Sequence, residues 1–207
     1  MNKQDALSIV ETHLTKKRFE HTVRVAETAV TLANLYQVSA KKAEIAAIFH
    51  DYCKYRSLEE MMRIIETSYL PKDLLLYHHE LWHGPVASIK VEEEYGITDE
   101  EIKSAIYCHT TGKAHMGKLD LIIFVADYIE PGRSFPGLEE VREMATTDLL
   151  KTAWMISRNT INFLMEKKNR IYPDTFHAYN DLTRLLDGGN HFEQNAIGNI
   201  ETSSGSM

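Results

Sequence analysis

The chain has 207 residues and only two cysteines, Cys53 and Cys108. Two thiols so far apart exclude a disulfide framework and a cysteine-rich metal site; reduced thiols in the cytosol are the expected state. Positive charge is also scarce. Lys and Arg number 23 against 30 Asp and Glu, giving a formal net charge of -7. That balance excludes a general nucleic-acid or membrane-surface binder, so an anionic ligand requires a local basic pocket. Long apolar runs are missing. The longest unbroken one, Leu121 to Ala126, is far shorter than the ~20 residues a membrane-spanning helix needs. Met1 to Asp5 carries no signal-peptide pattern, so a soluble cytoplasmic protein with no membrane partner is expected. No stretch alternates apolar and polar residues with β-branched enrichment, which removes the case for strands.

What the sequence does contain is helical periodicity almost throughout, and the expected class is all-α. A chain of this size buries about 70% of its unfolded surface, enough for one core without staples. The pattern predicts helices over about Gln4–Leu14, Lys16–Tyr36, the segment from Ser39 to His50-Asp51, Leu138–Ala145, Asp148–Lys168 and Thr175–Leu186. Ser57 with Glu60, and Thr98 with Glu101, have capping-box spacing, and Pro85 is expected as a first helical residue. Leu119–Glu130 is apolar nearly all round and stops at Pro131-Gly132, which predicts a buried central helix. One domain over 1–186 is expected, followed by a flexible tail over 187–207 where Gly, Asn and Ser take over.

The candidate chemistry centres on His50-Asp51, which puts a nitrogen and an anionic oxygen at one helix end, as a divalent metal requires. On a helical wheel Ile45, Ala46, Ile48, Phe49 and Tyr52 form one face, with His50, Asp51 and Lys54 opposite. Further candidates stand apart along the chain. His21 lies between Arg18 and Arg24, His83 occupies a helix break, and His109 precedes Thr110-Thr111-Gly112. Asp127 follows the apolar run, where an ionised carboxylate costs several kcal/mol unless compensated. A rival motif, His79-Glu80-Leu81-Trp82-His83, fits the H-E-x-x-H pattern of zinc peptidases. Gly84-Pro85 follows at once and is expected to end the helix within it, so the rival is set aside.

The segments "RFEHTVRVAE", "AAIFHDYCK", "WHGPVAS", "AIYCHTTGK", "IIFVADYIEPGR" and "IYPDT" together resemble the HD superfamily of metal-dependent phosphohydrolases. Within it they are similar to the YqeK-type symmetrical bis(5'-nucleosyl)-tetraphosphatases, over about Gln4–Leu186. That resemblance implies an HD-type helical bundle with a dinuclear metal site between helices. The site would hold two divalent ions, iron by resemblance, although imidazole and carboxylate suit manganese and zinc equally. It implies hydrolysis of diadenosine tetraphosphate into two ADP. By position, His21, His50, Asp51 and Asp127 would hold one metal and His83, His109 and Asp51 the other, with Asp51 bridging. Two dications about 3.5–4 Å apart would activate a shared water as nucleophile and clamp the phosphoryl group. Lys54 and Arg133 would join Asp51 as catalytic residues by neutralising the transferring group. Arg18, Arg24, Thr110, His115 and the loop Arg170, Ile171, Tyr172, Pro173, Asp174 and Thr175 would hold the phosphates and nucleoside, touched also by His21, His83, His109 and Asp127. Alternatives are an HD-type nucleoside triphosphate or alarmone hydrolase, and a nucleotide sensor without turnover. A homodimer is left open.

Overall fold

Helix starts follow the local capping chemistry. The computed structural model describes residues 1–188, and the expectation for the tail from residue 189 onward lies outside them. Asn2, Thr15, Ser39, Ser57 and Asp148 each offer a side-chain oxygen to a backbone N–H in the first turn. These open α1 (Lys3–Glu11), α2 (Lys16–Leu35), α3 (Ala40–Phe49), α4 (Leu58–Thr67) and α9 (Leu149–Glu166). The remaining helices are α5 (His83–Tyr95), α6 (Glu100–Cys108), α7 (Lys118–Ile129), α8 (Leu138–Ala145) and α10 (Pro173–Leu186), with short 3-10 turns at Lys72–Leu76 and His79–Leu81. No strand occurs among the described residues. The all-α expectation is borne out.

Three local readings need correction. The cap of α6 is Asp99, whose carboxylate accepts from the Glu101 and Ile102 N–H groups, not Thr98. An ionised carboxylate is the better partner for a helix N-terminus than a neutral hydroxyl one residue earlier. Pro85 is the third residue of α5, because the helix already begins at His83. Proline remains tolerated there since the first-turn N–H groups have no intrahelical partner. Helix α3 ends at Phe49 with His50 as its cap, and His50 to Tyr55 continue as turns. The wheel drawn through Lys54 therefore extended a helix that had stopped.

Helix α7 carries the architecture. It packs against α2, α3, α6, α8 and α9, while α2 also lies along α3 and α5 along α6. Leu119 and Leu121 to Ala126 are buried, as its all-round apolar sequence requires. On α3 the run Ile45 to Phe49 is buried, so this helix sits mid-bundle rather than half in water. Close approach of α5 to α6 depends on Gly84. A β-carbon there would lie 3.0 Å from the Ile106 and Tyr107 carbonyl oxygens and 3.1 Å from the His109 ring. That contact brings the N-terminus of α5, with His83, beside the C-terminus of α6, with His109.

Candidate metal centre and substrate cleft

Three of the histidines are aimed by the same local device. Nδ1 of His50, His83 and His109 donates to the carbonyl three residues back, Ala47 at 2.6 Å, Glu80 at 2.7 Å and Ile106 at 2.8 Å. Each sits where a helix or 3-10 turn is ending or beginning, so the carbonyl is free of a helical partner. With the proton fixed on Nδ1, every Nε2 carries its lone pair inward. His21, in the body of α2, has no such carbonyl. Its Nδ1 donates instead to Glu130 Oε1 at 3.0 Å.

The four Nε2 atoms meet Asp51 and Asp127. Asp51 Oδ2 lies 2.9 Å from His50 Nε2 and 3.7 Å from His21 Nε2, whereas Oδ1 lies 3.1 Å from His83 Nε2 and 3.9 Å from His109 Nε2. Asp127 Oδ1 is 3.0 Å from His21 Nε2 and 3.9 Å from His50 Nε2. The two oxygens of one carboxylate thus face two different histidine pairs.

The chemistry of these contacts fits divalent metal. His83 Nε2 and His109 Nε2 stand 3.0 Å apart, lone pair against lone pair. Histidine–carboxylate approaches of 2.9–3.1 Å are likewise acceptor against acceptor. Two ligand atoms each about 2.1 Å from a metal at a right angle are about 3.0 Å apart, so a cation converts these repulsions into coordination. His21 Nε2, His50 Nε2 and Asp51 Oδ1 are buried without a hydrogen-bond partner, which costs free energy unless an ion supplies one. Ligand atoms of His21, His50 and Asp127 all lie within 4.8 Å of one another, as do those of His50, Asp51 and His109.

Electrostatics agree. Burial pushes the Asp51 carboxyl up, but His50 and His83 hold it well below the usual carboxylate range. Burial likewise opposes ionisation of Asp127, yet His21 and Arg133 hold it well below that range. Burial and the neighbouring His83 and His50 keep His109 well below the ordinary imidazole value. For His50 burial acts downward, but the adjacent Asp51 more than offsets it, so that without an ion a proton is favoured on His50 where metal would bind. Charged carboxylates beside a neutral His109 are the protonation states that ligation needs.

The matching family model is that of the HD domain, over residues 18–132. The chain belongs to the HD-domain family. It is 49% identical over 180 residues to a symmetrical bis(5'-nucleosyl)-tetraphosphatase of Bacillus subtilis (strain 168), covering 87% of this chain and 97% of that one. A Halalkalibacterium halodurans relative of the same name is 50% identical over 182 residues, 88% of this chain and 97% of that one. The fold is similar to a crystal structure described as a predicted HD superfamily hydrolase involved in NAD metabolism from Clostridium acetobutylicum. That likeness has a TM-score of 0.84 and 35% identity over 89% of this chain and 98% of the other. The resemblance noted in the sequence and the HD-type helical bundle are both borne out.

Around the centre this HD protein opens three adjoining cavities. The middle one, about 270 Å³, is lined by Lys54, His83, His109, Thr110, Asp127 and Arg133, among others. Arg133 Nη2 donates to Asp127 Oδ1 at 2.6 Å, and Lys54 Nζ pairs with Glu80 Oε2. On one side a cavity of about 590 Å³ runs to Arg170, Tyr172 and Thr175, with apolar walls from Leu76, Leu81 and Phe163. Ile171, Pro173 and Asp174 do not line it: Pro173 serves as the first residue of α10, and Asp174 lies 3.5 Å from His177. On the other side a cavity of about 470 Å³ includes Arg18, His21, Arg24 and Arg133. His115 is set apart from all three. Its side chain is 81% exposed, 3.4 Å from Asp181, so the phosphate contact expected of it has no support in its position.

The rival zinc-peptidase pattern fails on geometry. His79 and Glu80 lie in a 3-10 turn that ends before His83, His79 stacks on His78, and Glu80 is engaged by Lys54. Gly84-Pro85 is not the breaker; the break precedes His83. Both cysteines are buried, with burial pushing the Cys53 thiol up to about 12 and Cys108 up as well, which suits packing rather than reactivity.

Sequence reasoning missed Glu130. Its buried carboxylate accepts from His21 Nδ1 and Arg24 Nε and from the Gly132 N–H at 2.6 Å. Burial pushes this carboxyl up, but Arg24, His21 and the Gly132 N–H hold it at about 2. Its position inside the quoted "ADYIEPGR" segment was the available signal. Glu130→Gln removes the anion that fixes the His21 ring, and such substitutions typically cost about 10–100-fold in metal affinity. Metal titration followed by calorimetry is expected to show a loss in that range.

Proposed function

We propose that the protein hydrolyses diadenosine tetraphosphate symmetrically to two ADP, in the cytoplasm, with two divalent ions, iron in the native protein. The observation that carries this reading is the split of Asp51: one oxygen toward His50 and His21, the other toward His83 and His109. A single carboxylate shared in that way is suited to bridge two ions. The names of the relatives about half identical to this chain support the substrate.

His21, His50, Asp51 and Asp127 would hold one ion, and Asp51, His83 and His109 the other. When bound, the ions supply Lewis-acid charge and a water acidic enough to ionise near neutral pH. The protein's own groups do the rest. The Nδ1 hydrogen bonds fix each imidazole so that no reorganisation is needed as charge develops. Lys54 and Arg133 line the middle cavity, paired with Glu80 and Asp127, and would turn from those carboxylates to phosphate oxygens when substrate binds. Thr110, whose hydroxyl donates to His109 Nε2 at 3.0 Å without metal, lines both the middle and the larger cavity, and Arg170, Tyr172 and Thr175 border a space for one nucleoside. His83, His109 and Asp127, which line the middle cavity, and His21, which lines the one beside it, would meet the phosphates as well as hold metal.

The test is to purify the protein anaerobically, count its metals and identify the products from diadenosine tetraphosphate. Two ADP per substrate and about two ions per chain are expected. ATP plus AMP, or no turnover once iron is restored, would overturn the reading. Faster cleavage of a nucleoside triphosphate or an alarmone would reassign the substrate, and tight ADP binding without turnover would make the protein a sensor.

A further inference from the structure

We propose that the cleft beside Arg18 and Arg133 receives the second nucleoside diphosphate arm of the substrate, with Tyr55 and Phe135 as the faces that meet its base. The proposal rests on the symmetric-hydrolysis reading above, and it assigns an end of the substrate that the Arg170–Thr175 side leaves without a place. A central cut puts the metal centre at the middle of the polyphosphate, with an identical diphosphate and nucleoside on each side. One arm has the apolar cavity reached past Thr110 and Thr160, which line both it and the middle cavity. The other arm needs a second exit.

The cavity of about 470 Å³ provides it. It joins the middle cavity through Arg18 and Arg133, which line both, and its volume is in the usual range for small-molecule sites. Lys17 and Arg24 bring its cations to four, against one lining carboxylate, Glu130. Glu130 is paired with Arg24 and His21, Arg18 with Asp51 and Arg133 with Asp127; bound ions would take up the charge of the two aspartates and leave the lining net positive in a protein whose overall charge is negative. That is the local basic pocket an anionic ligand requires. Gly132 lets the Arg24 guanidinium lie directly against the backbone, because a β-carbon there would overlap it.

The walls are aromatic where a base would lie. Tyr55 and Phe135 are 55% and 38% exposed, and both line this cavity. Each is held by a neighbour rather than loose. The Tyr55 hydroxyl is 3.3 Å from Thr15 Oγ1, and the Phe135 ring meets Tyr128 edge-on at 5.2 Å. Exposed aromatic faces beside a basic groove stack bases with little preference among them.

The experiment compares diadenosine tetraphosphate with adenosine 5'-tetraphosphate, which lacks the second nucleoside and which a central cut turns into ADP and pyrophosphate. Wild type is expected to prefer the dinucleotide in kcat/KM. In the Tyr55→Ala/Phe135→Ala variant that preference is expected to fall about tenfold, mainly through a higher KM for the dinucleotide. The single Tyr55→Ala variant, at the more exposed position, shows a smaller drop and serves if the double variant melts early. An unchanged preference in a folded variant overturns the second-arm assignment while leaving the hydrolase reading intact. A wild type that leaves the dinucleotide uncut overturns the hydrolase reading, and the second-arm assignment with it.

Discussion

Replacing Asp51 with alanine is expected to empty both metal positions together and to lower hydrolysis of diadenosine tetraphosphate by at least about 10³-fold. Substitution of groups that merely orient metal ligands costs about 10–100-fold, and Asp51 would be a ligand to both ions. Its oxygens face separate histidine pairs, Oδ2 toward His50 at 2.9 Å and Oδ1 toward His83 at 3.1 Å. His50→Ala makes the informative contrast. It leaves Asp51, His83 and His109 intact, so about one ion per chain is expected to remain while activity falls. Metal analysis of the two variants, alongside their rates, separates a bridge from an ordinary ligand. Two ions retained by Asp51→Ala would place the bridge elsewhere. Misfolding is the confound to control, because Asp51 is fully buried and pairs with Arg18, only 21% exposed, which the substitution leaves without its partner. Equal melting temperatures of the metal-free wild type and variant check this directly.

The gross fold and the histidine–aspartate set were legible because their signals are local or chemically costly. Helical periodicity and caps such as Ser39 and Ser57 act within one turn, and an aspartate after a run like Leu121–Ala126 has no cheap explanation. Glu130 was not legible for the opposite reason. A glutamate at a helix end before proline looks solvated, and only the approach of His21 and Arg24, more than a hundred residues away in sequence, makes it an internal anion. Lys54 and Glu80 illustrate the same gap: Lys54 belongs by pattern to the His50-Asp51 face and Glu80 to the rival motif, and their pairing comes from the turn after α3 meeting the 3-10 segment. Where two neighbours could both cap, as at Thr98 and Asp99, the carboxylate won. Patterns of side-chain type therefore revealed which groups needed partners, whereas the identity of those partners depended on how α2 and α7 pack.

Stripping the metals is expected to lower the melting temperature by roughly 8–16 °C for each tightly held ion. An ion at 1,000 times its dissociation constant stabilises the folded state by about 4 kcal/mol. For a chain of this size each kcal/mol is worth about 2–4 °C. The structural ground is the set of buried atoms without a hydrogen-bond partner that face one another there: His21 Nε2, His50 Nε2 and Asp51 Oδ1. Without metal, His83 Nε2 and His109 Nε2, 3.0 Å apart, are held together with no ion between them. The pH dependence follows in sign. Protons compete with metal for the Nε2 lone pairs, and as pH falls His50, which Asp51 holds above the ordinary imidazole value, takes one ahead of His109, which is held below it, so the stabilisation by metal shrinks toward low pH. Thermal melts of chelated and reconstituted protein between pH 5 and pH 8 measure both effects. Curves that coincide across that range would mean that the centre is held by the fold alone. The clustering of four imidazoles and two carboxylates would then need a different cause from metal binding.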